Sequence, residues 1–310
     1  MPLKTWQEFT AGARPQGGTI PEDLRDFVEN VSAKDRPALA LFRKSSVKTT
    51  FIEWLEDVLP SRAHNANNEG IAATDPDLVV PTRTFTHVQL FARWGQVSDT
   101  QRLTDHKGFS DALMYQEKKA IEATLNDIEH ALHRGSSATG ATDASRQFGG
   151  LLNILTTNFT DSSGTTLTEE VFNDYVQAFV DNGTEIRPSV AFVNSWLKRT
   201  ISLYSTKVTR NVDAAARIQE LVVEQHRSDF GDVGVFYSRD QLKSATKTTQ
   251  GNSITLVDPS FFETGWLLPL RSEILARDGL RTKFQISAQM TLIFRTEKAG
   301  GGATSVVANI

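Results

Sequence analysis

Apolar and polar side chains alternate from Val47 to about Leu59, with Thr49, Phe51, Glu53 and Leu55 on one side and Thr50, Ile52, Trp54 and Glu56 on the other. A period of two predicts a β-strand. A second strand is predicted from Thr82 to Val97, with Phe85, His87, Gln89, Phe91 and Arg93 on one face and Thr86, Val88, Leu90, Ala92 and Trp94 on the other. Pro60 and Pro81 bracket the polar stretch between them, where Asn65, Asn67, Asn68, Gly70 and Asp75-Pro76-Asp77 are turn formers. The two strands read as one long β-hairpin, each arm reaching ~40 Å at about 3.3 Å per residue, with a tip loop of about 20 residues, a length that is uncommon inside a compact domain. A lone two-stranded ribbon is marginal in water and cannot bury four large aromatic rings by itself. The hairpin is therefore expected to lie on another molecule, with Trp54, Phe85, Phe91 and Trp94, together with Glu53 and Asp57, as its contact residues.

The period then becomes helical. Ser110 as N-cap, Asp111 in the first turn and Gly135 just after Arg134 mark the ends of one helix, about 37 Å long at 1.5 Å per residue. Leu113, Ile121, Leu125, Ile128 and Leu132 form its apolar stripe, while Glu117, Lys118, Glu122 and Asn126 fall elsewhere, so one face docks on a sheet and the other stays wet. Small residues from Gly135 to Ser145 form a linker. Beyond it, helical and strand patterns alternate as in an α/β domain, with a helix from Leu167 to Val180 opened by Thr168, a buried strand from Ser189 to Val193, a helix from Ser195 to Leu203, and strands from Ile218 to Gln225 and from Gly234 to Tyr237. Ser253 to Val257, Leu268 to Ala276 and Thr282 to Thr296 are β-rich and separated by Asp258-Pro259 and Asp278-Gly279 turns. Residues 1–43 carry Pro2, Pro15, Pro21 and Pro37 and read as a polar arm with one short helix, Pro21 to Val31. The stretch from Ala299 is Gly-rich and then apolar, and reads as a tail. The fold class is α+β.

Composition narrows the function. The chain has 310 residues, 39% hydrophobic and 23% charged, enough for one large or two ordinary globular domains. Its longest nearly apolar run, Gly265 to Leu270, is far short of the roughly 20 residues of a membrane span, and no signal-peptide pattern opens the sequence, so manufacture in the cytoplasm is expected. The absence of cysteine excludes disulfides, thiolate metal sites and cysteine nucleophiles. A net charge of −4 argues against a protein whose main task is neutralising phosphates, so contact with nucleic acid is expected to come from confinement and not from affinity.

No motif for chemistry stands up. Glu129, His130 and His133 share a helix end, but a metal site needs further ligands, and imidazoles in a last turn are favoured by the helix dipole. Asp229-Phe230-Gly231 lacks the companion strings of a kinase, Gly149-Gly150 lacks the Lys and Ser/Thr of a phosphate loop, and no G-x-S-x-G elbow occurs. On a strand, Glu53 and Asp57 would share a face and Glu56 take the other, which suits salt bridges better than acid–base work. Arg271, Arg277, Arg281 and Lys283 could meet nucleic acid or an acidic neighbour; Phe261, Phe262 and Trp266 read as core or interface. No catalytic, cofactor or metal site is expected.

The order of polar arm, long hairpin, long helix, small-residue linker, α/β middle and late antiparallel pair resembles the Hong Kong 97-like major capsid proteins of tailed double-stranded DNA phages. Local strings share the resemblance: Thr50-Phe51-Ile52-Glu53-Trp54-Leu55-Glu56-Asp57, Gln96-Val97-Ser98-Asp99-Thr100-Gln101, Asp127-Ile128-Glu129, Arg146-Gln147-Phe148-Gly149-Gly150-Leu151 and Asp229-Phe230-Gly231. The resemblance implies an N-arm (1–43), an E-loop (44–97), a P-domain with its spine helix (98–145), an A-domain (146–265), P-domain return strands (266–300) and a tail (301–310). It implies a subunit of pentamers and hexamers in an icosahedral head, with a portal and packaged double-stranded DNA as partners and no membrane. Some relatives crosslink an E-loop lysine to a neighbour's asparagine, but no lysine lies between Lys48 and Lys107, so noncovalent overlap is expected. No long charged segment precedes the arm, so a separate scaffolding protein is expected. The alternatives are an encapsulin-like nanocompartment shell, which shares the fold and encloses enzyme cargo, and a soluble α/β enzyme working near Glu129 and His133.

Overall fold

The computed structural model describes residues 35–308 apart from 60–63, 65, 67, 71–78, 105–110, 141–144, 183–185, 205–223, 247–248 and 278. The expected helix from Pro21 to Val31 and most of the hairpin tip lie outside the described residues. In chain order the elements are α1 (Pro37–Leu41), β1 (Arg43–Ser46), β2 (Phe51–Glu56), β3 (Thr82–His87), β4 (Gln89–Ser98), α2 (Asp99–Leu103), α3 (Ala112–Arg134), α4 (Leu151–Ile154), β5 (Asn158–Asp161), α5 (Glu169–Asp181), β6 (Val190–Val193), α6 (Ser195–Tyr204), β7 (Glu224–Ser228), β8 (Gly231–Tyr237), β9 (Asn252–Val257), β10 (Phe262–Ile274), β11 (Arg281–Phe294) and β12 (Gly300–Val306).

Two sheets and a ribbon result. The first sheet has the order β1-β10-β11-β4, the second β5-β12-β9-β6-β8-β7, and β2 pairs only with β3. Helix α3 is the long helix of the sequence pattern. Asp111 is its N-cap, the carboxylate accepting from the Leu113 N–H at 2.8 Å, and Gly135 follows its last residue. Its apolar stripe packs on the first sheet: Ile128 and Leu132 join Phe91, Ala288, Met290 and Leu292 in one core, with Phe148 and Phe262. Full burial of such side chains stabilises by roughly 1.5–3 kcal/mol each. A second core lies between the second sheet and α5 and α6, built from Phe172, Val176, Phe179 and Leu197 against Ala191, Val235 and Leu256. Thr168 caps α5 through the Val171 N–H.

Four expectations change. The strand expected from Thr82 to Val97 is two strands that exchange partners at Val88: β3 pairs with β2, and β4 pairs antiparallel with β11 from Gln89↔Met290 to Ser98↔Arg281. The free hairpin is therefore only six residue pairs long, and the rest of the expected arm is part of the first sheet. Phe91 is consequently core, 7% exposed and facing Phe148, and not a contact residue of an arm. The Gly-rich stretch is no tail: β12 runs through the second sheet between β5 and β9. Gly300, Gly301 and Gly302 fit there because a Cβ at any of them would fall within 2.6 Å of Leu155, Asn158 or Ile254. Finally, Arg43–Ser46, expected as the end of the arm and the start of the E-loop, pairs in parallel with the start of β10, which begins at Phe262. Of the strand expected from Ile218, only the part from Glu224 is described.

Candidate intersubunit surface

Side chains alternate across a strand, so the short hairpin has two distinct faces. On one lie the pairs Phe51↔His87, Glu53↔Phe85 and Leu55↔Arg83; on the other Ile52↔Thr86, Trp54↔Thr84 and Glu56↔Thr82. The second face is seated on the chain's own first sheet. Trp54 packs on Phe294, the Thr86 and Thr291 hydroxyls are 3.0 Å apart, and the Glu56 carboxylate accepts from the Thr296 hydroxyl. The Trp54 Nε1 is buried and meets no acceptor among the described residues, a cost of about 1–3 kcal/mol that ring packing has to offset.

The first face exposes three apolar side chains, Phe51, Leu55 and Phe85, beside the charged Glu53 and Arg83. The Phe51 and Phe85 rings lie 5.4 Å apart over His87, and Phe85 is 50% exposed. Leu55 is exposed on the same face, and Val58, Leu59, Val79 and Val80, beyond the paired residues, are exposed as well. Glu53 pairs with Arg83 at 3.6 Å in the open, which contributes at most about 1 kcal/mol. Asp57 lies just past the strand end and accepts from the Val58 N–H at 2.9 Å. A second exposed region lies on β4. Trp94, 70% exposed, lines a shallow groove with Gln116, Lys119, Ala120 and Ala123 of α3, and Leu90 is exposed on the same strand. Beside them, the outer edge of β4 has no strand partner among the described residues, and unpaired edges are templates for another chain.

Of the six residues expected at a contact, Phe85, Trp94, Glu53 and Asp57 are exposed, Trp54 is half-buried on its own sheet, and Phe91 is core. Phe51, Leu55 and Leu90 are exposed apolar positions that the sequence reading passed over. For the first two the missing signal was register, since Phe51 and Leu55 share a face with Phe85 only once β2 is set against β3.

The remaining candidate groups are tied up locally. Glu129 and His133 are buried together, whereas His130 turns outward to Asp240 at 3.0 Å. Among the described residues, no three His, Cys, Asp or Glu side chains converge as metal ligands, and no helix is long and apolar enough to cross a membrane. Arg271 pairs with Glu273, Arg277 with Asp99, and Arg281 donates to Gln96. Asp229 and Phe230 form the turn between β7 and β8.

Two sheets, a short hairpin docked beside them and one long helix make up the subunit, and residues 4–306 match the family described as SU10 major capsid protein. The chain belongs to that family. It is a phage major capsid protein, a structural component of the virion that assembles with copies of itself, and its fold is Hong Kong 97-like. By sequence position, β2 and β3 fall within the expected E-loop (44–97), α3 is the helix expected as the spine of the P-domain (98–145), and β5 to β9 with α5 and α6 fall within the expected A-domain (146–265). Solved structures agree in fold. The capsid of a native GTA particle superposes with a TM-score of 0.62 at 15% identity, over 96% of this chain and 99% of that one. The capsid of cyanophage A-1(L) gives 0.65 at 14% identity over 93% and 97%, and an encapsulin complex from Synechococcus elongatus 0.57 at 12% over 100% and 98%. No curated protein matches the sequence.

Proposed function

We propose that this capsid protein forms the pentamers and hexamers of an icosahedral head around double-stranded DNA, and that its E-loop grips a neighbouring copy without a covalent link. The observation that carries this reading is the two-faced hairpin. One face is held by the subunit's own sheet, and on the other Phe51, Leu55 and Phe85 stay exposed among the described residues. Trp94 and the open edge of β4 are the second contact region, and Glu53 and Asp57 add charge at the margin of the first. Heterologous contacts of this kind, repeated around closed rings, build shells from one chain. The lack of lysine between Lys48 and Lys107 supports noncovalent overlap. A separate scaffolding protein, a portal and assembly in the host cytoplasm complete the proposal, with DNA held by confinement, in keeping with the net charge of −4.

The test is expression with and without the scaffolding protein, followed by sedimentation and electron microscopy. Shells or capsomers are expected. A small oligomer under every assembly condition would overturn the proposal, and native particles filled with enzyme instead of DNA would favour the nanocompartment reading.

A further inference from the structure

Away from the E-loop, a buried polar track crosses the subunit. Glu122, Asn126, Glu129 and His133 recur every three or four residues and so share one face of the spine helix. The first two hold Arg36: its Nε donates to the Asn126 Oδ1 at 2.8 Å, and its guanidinium pairs with Glu122. The Glu129 carboxylate accepts from the backbone N–H groups of Ala38 and Leu39, each at 2.9 Å. These are first-turn amides of α1, which has no capping side chain of its own, so a residue of another helix satisfies its open donors. From Glu129 the track continues to His133 at 3.3 Å, and His133 Nε2 lies 3.0 Å from the Ser238 hydroxyl. Gln241 then donates to His133 Nδ1 at 3.1 Å and accepts from the Ser253 hydroxyl at 2.6 Å, and its amide also donates to Thr255 at 3.1 Å. With Nδ1 accepting, the ring proton lies on Nε2, facing Glu129 and Ser238. Glu129, His133, Ser238, Gln241, Ser253 and Thr255 have no exposed surface.

The sequence position of these groups gives the track its meaning. Ala38 and Leu39 are the root of the N-terminal arm, Glu129 and His133 belong to the spine helix, and Ser253 and Thr255 lie on β9 inside the A-domain sheet. Among the described residues the buried carboxylate of Glu129 meets no Lys or Arg side chain, only the backbone N–H groups of Ala38 and Leu39 and the Nε2–H of His133. Loss of Gln241 leaves His133 Nδ1 buried without a donor, and loss of the Glu129 carboxylate leaves the Ala38 and Leu39 amides without an acceptor; a partly satisfied network is worse than none. We propose that Glu129, His133 and Gln241 form a latch that couples the seating of the arm root on the spine helix to the A-domain, so that displacement of one is felt by the other. The latch stands on the geometry of a single subunit. Only its use, letting a neighbour that pulls on the arm alter the A-domain, rests on the proposed assembly.

The test reads coupling at a distance. Amide hydrogen exchange is measured on the full-length unassembled subunit and on Gln241→Met, which touches neither Ala38 nor Leu39, with Glu129→Gln as the direct variant. Exchange at Ala38 and Leu39 is expected to rise at least tenfold in both, while Ile286 and Ala288 in β11 stay unchanged. A rise in Gln241→Met confined to the neighbourhood of Ser253 and Thr255, or a uniform rise that includes Ile286, would overturn the latch. If Gln241→Met does not fold, Ser238→Ala, which removes a single hydroxyl, is read by the same criterion. Failure of the wild-type chain to form shells while the coupling is observed would count against the assembly proposal alone.

Discussion

The indole of Trp54 meets the ring of Phe294 edge-on, with centroids 5.0 Å apart and planes at 90°. This contact helps join the hairpin to the first sheet, since among the described residues β2 and β3 pair with no other strand. Trp54→Ala should loosen the hairpin by about 2 kcal/mol, less than full burial of a Trp would give. Limited proteolysis should cut sooner within residues 51–87, while the melting temperature of the two sheets stays put. A matching drop in global stability would mean that the hairpin is part of the core.

Phe85 and Phe91 lie on the same strand face by sequence, yet the structure separates them. Phe85→Asp, which loses the ring contact with Phe51 and sets a second carboxylate opposite Glu53, should loosen the hairpin by about 1–2 kcal/mol, leave the two sheets folded, and abolish shells in electron micrographs. Phe91→Asp should instead give insoluble or unfolded chain, since it buries a carboxylate beside Phe148.

Gly302 has φ +140°, and a Cβ there would lie 2.1 Å from the Ile254 carbonyl oxygen. Gly302→Ala should cost about 3 kcal/mol or more and lower the melting temperature by roughly 5–10 °C. A calorimetric scan of the variant measures it, and an unchanged transition would mean that β12 is not clamped between β5 and β9.

His226 is buried on the edge strand β7, stacked edge-on with Phe172 at 4.9 Å and hydrogen-bonded to Asn173 at 3.0 Å. Burial pushes its pKa below the usual 6.5, against a smaller opposing pull from Glu169. The unfolded chain therefore takes up a proton near pH 6.5 that the folded chain refuses until lower pH. This contribution to stability is complete above that value, declines as pH falls through the window, and levels off below the native pKa. Urea titrations at stepped pH should show a steeper acid loss for the wild type than for His226→Phe; parallel curves would assign the loss to other groups.

Much of this architecture was legible in the sequence because the physics behind it is local. The spine helix announced itself through its stripe and through Gly135, and α5 through Thr168. What escaped depends on partners distant in sequence. Nothing in the unbroken alternation from Thr82 to Val97 says that the strand changes partners at Val88, because both halves meet the same alternating requirement. Gly300, Gly301 and Gly302 are poor strand formers by propensity, and only the close approach of Leu155, Asn158 and Ile254 explains them. Glu129 and His133 were seen as a pair, but their partners on residues 38, 39, 238 and 241 were beyond any spacing rule.

The place of β12 bears on when a subunit becomes usable. It lies between β5 and β9, and β1 likewise waits for β10, so neither sheet closes until the ribosome has passed well beyond the spine helix. At roughly 5–20 residues per second, β5 waits about 7–30 s for its partner. A stalled or truncated nascent chain thus carries an E-loop but no finished A-domain. Only a chain translated through Val306 carries every described strand of both sheets.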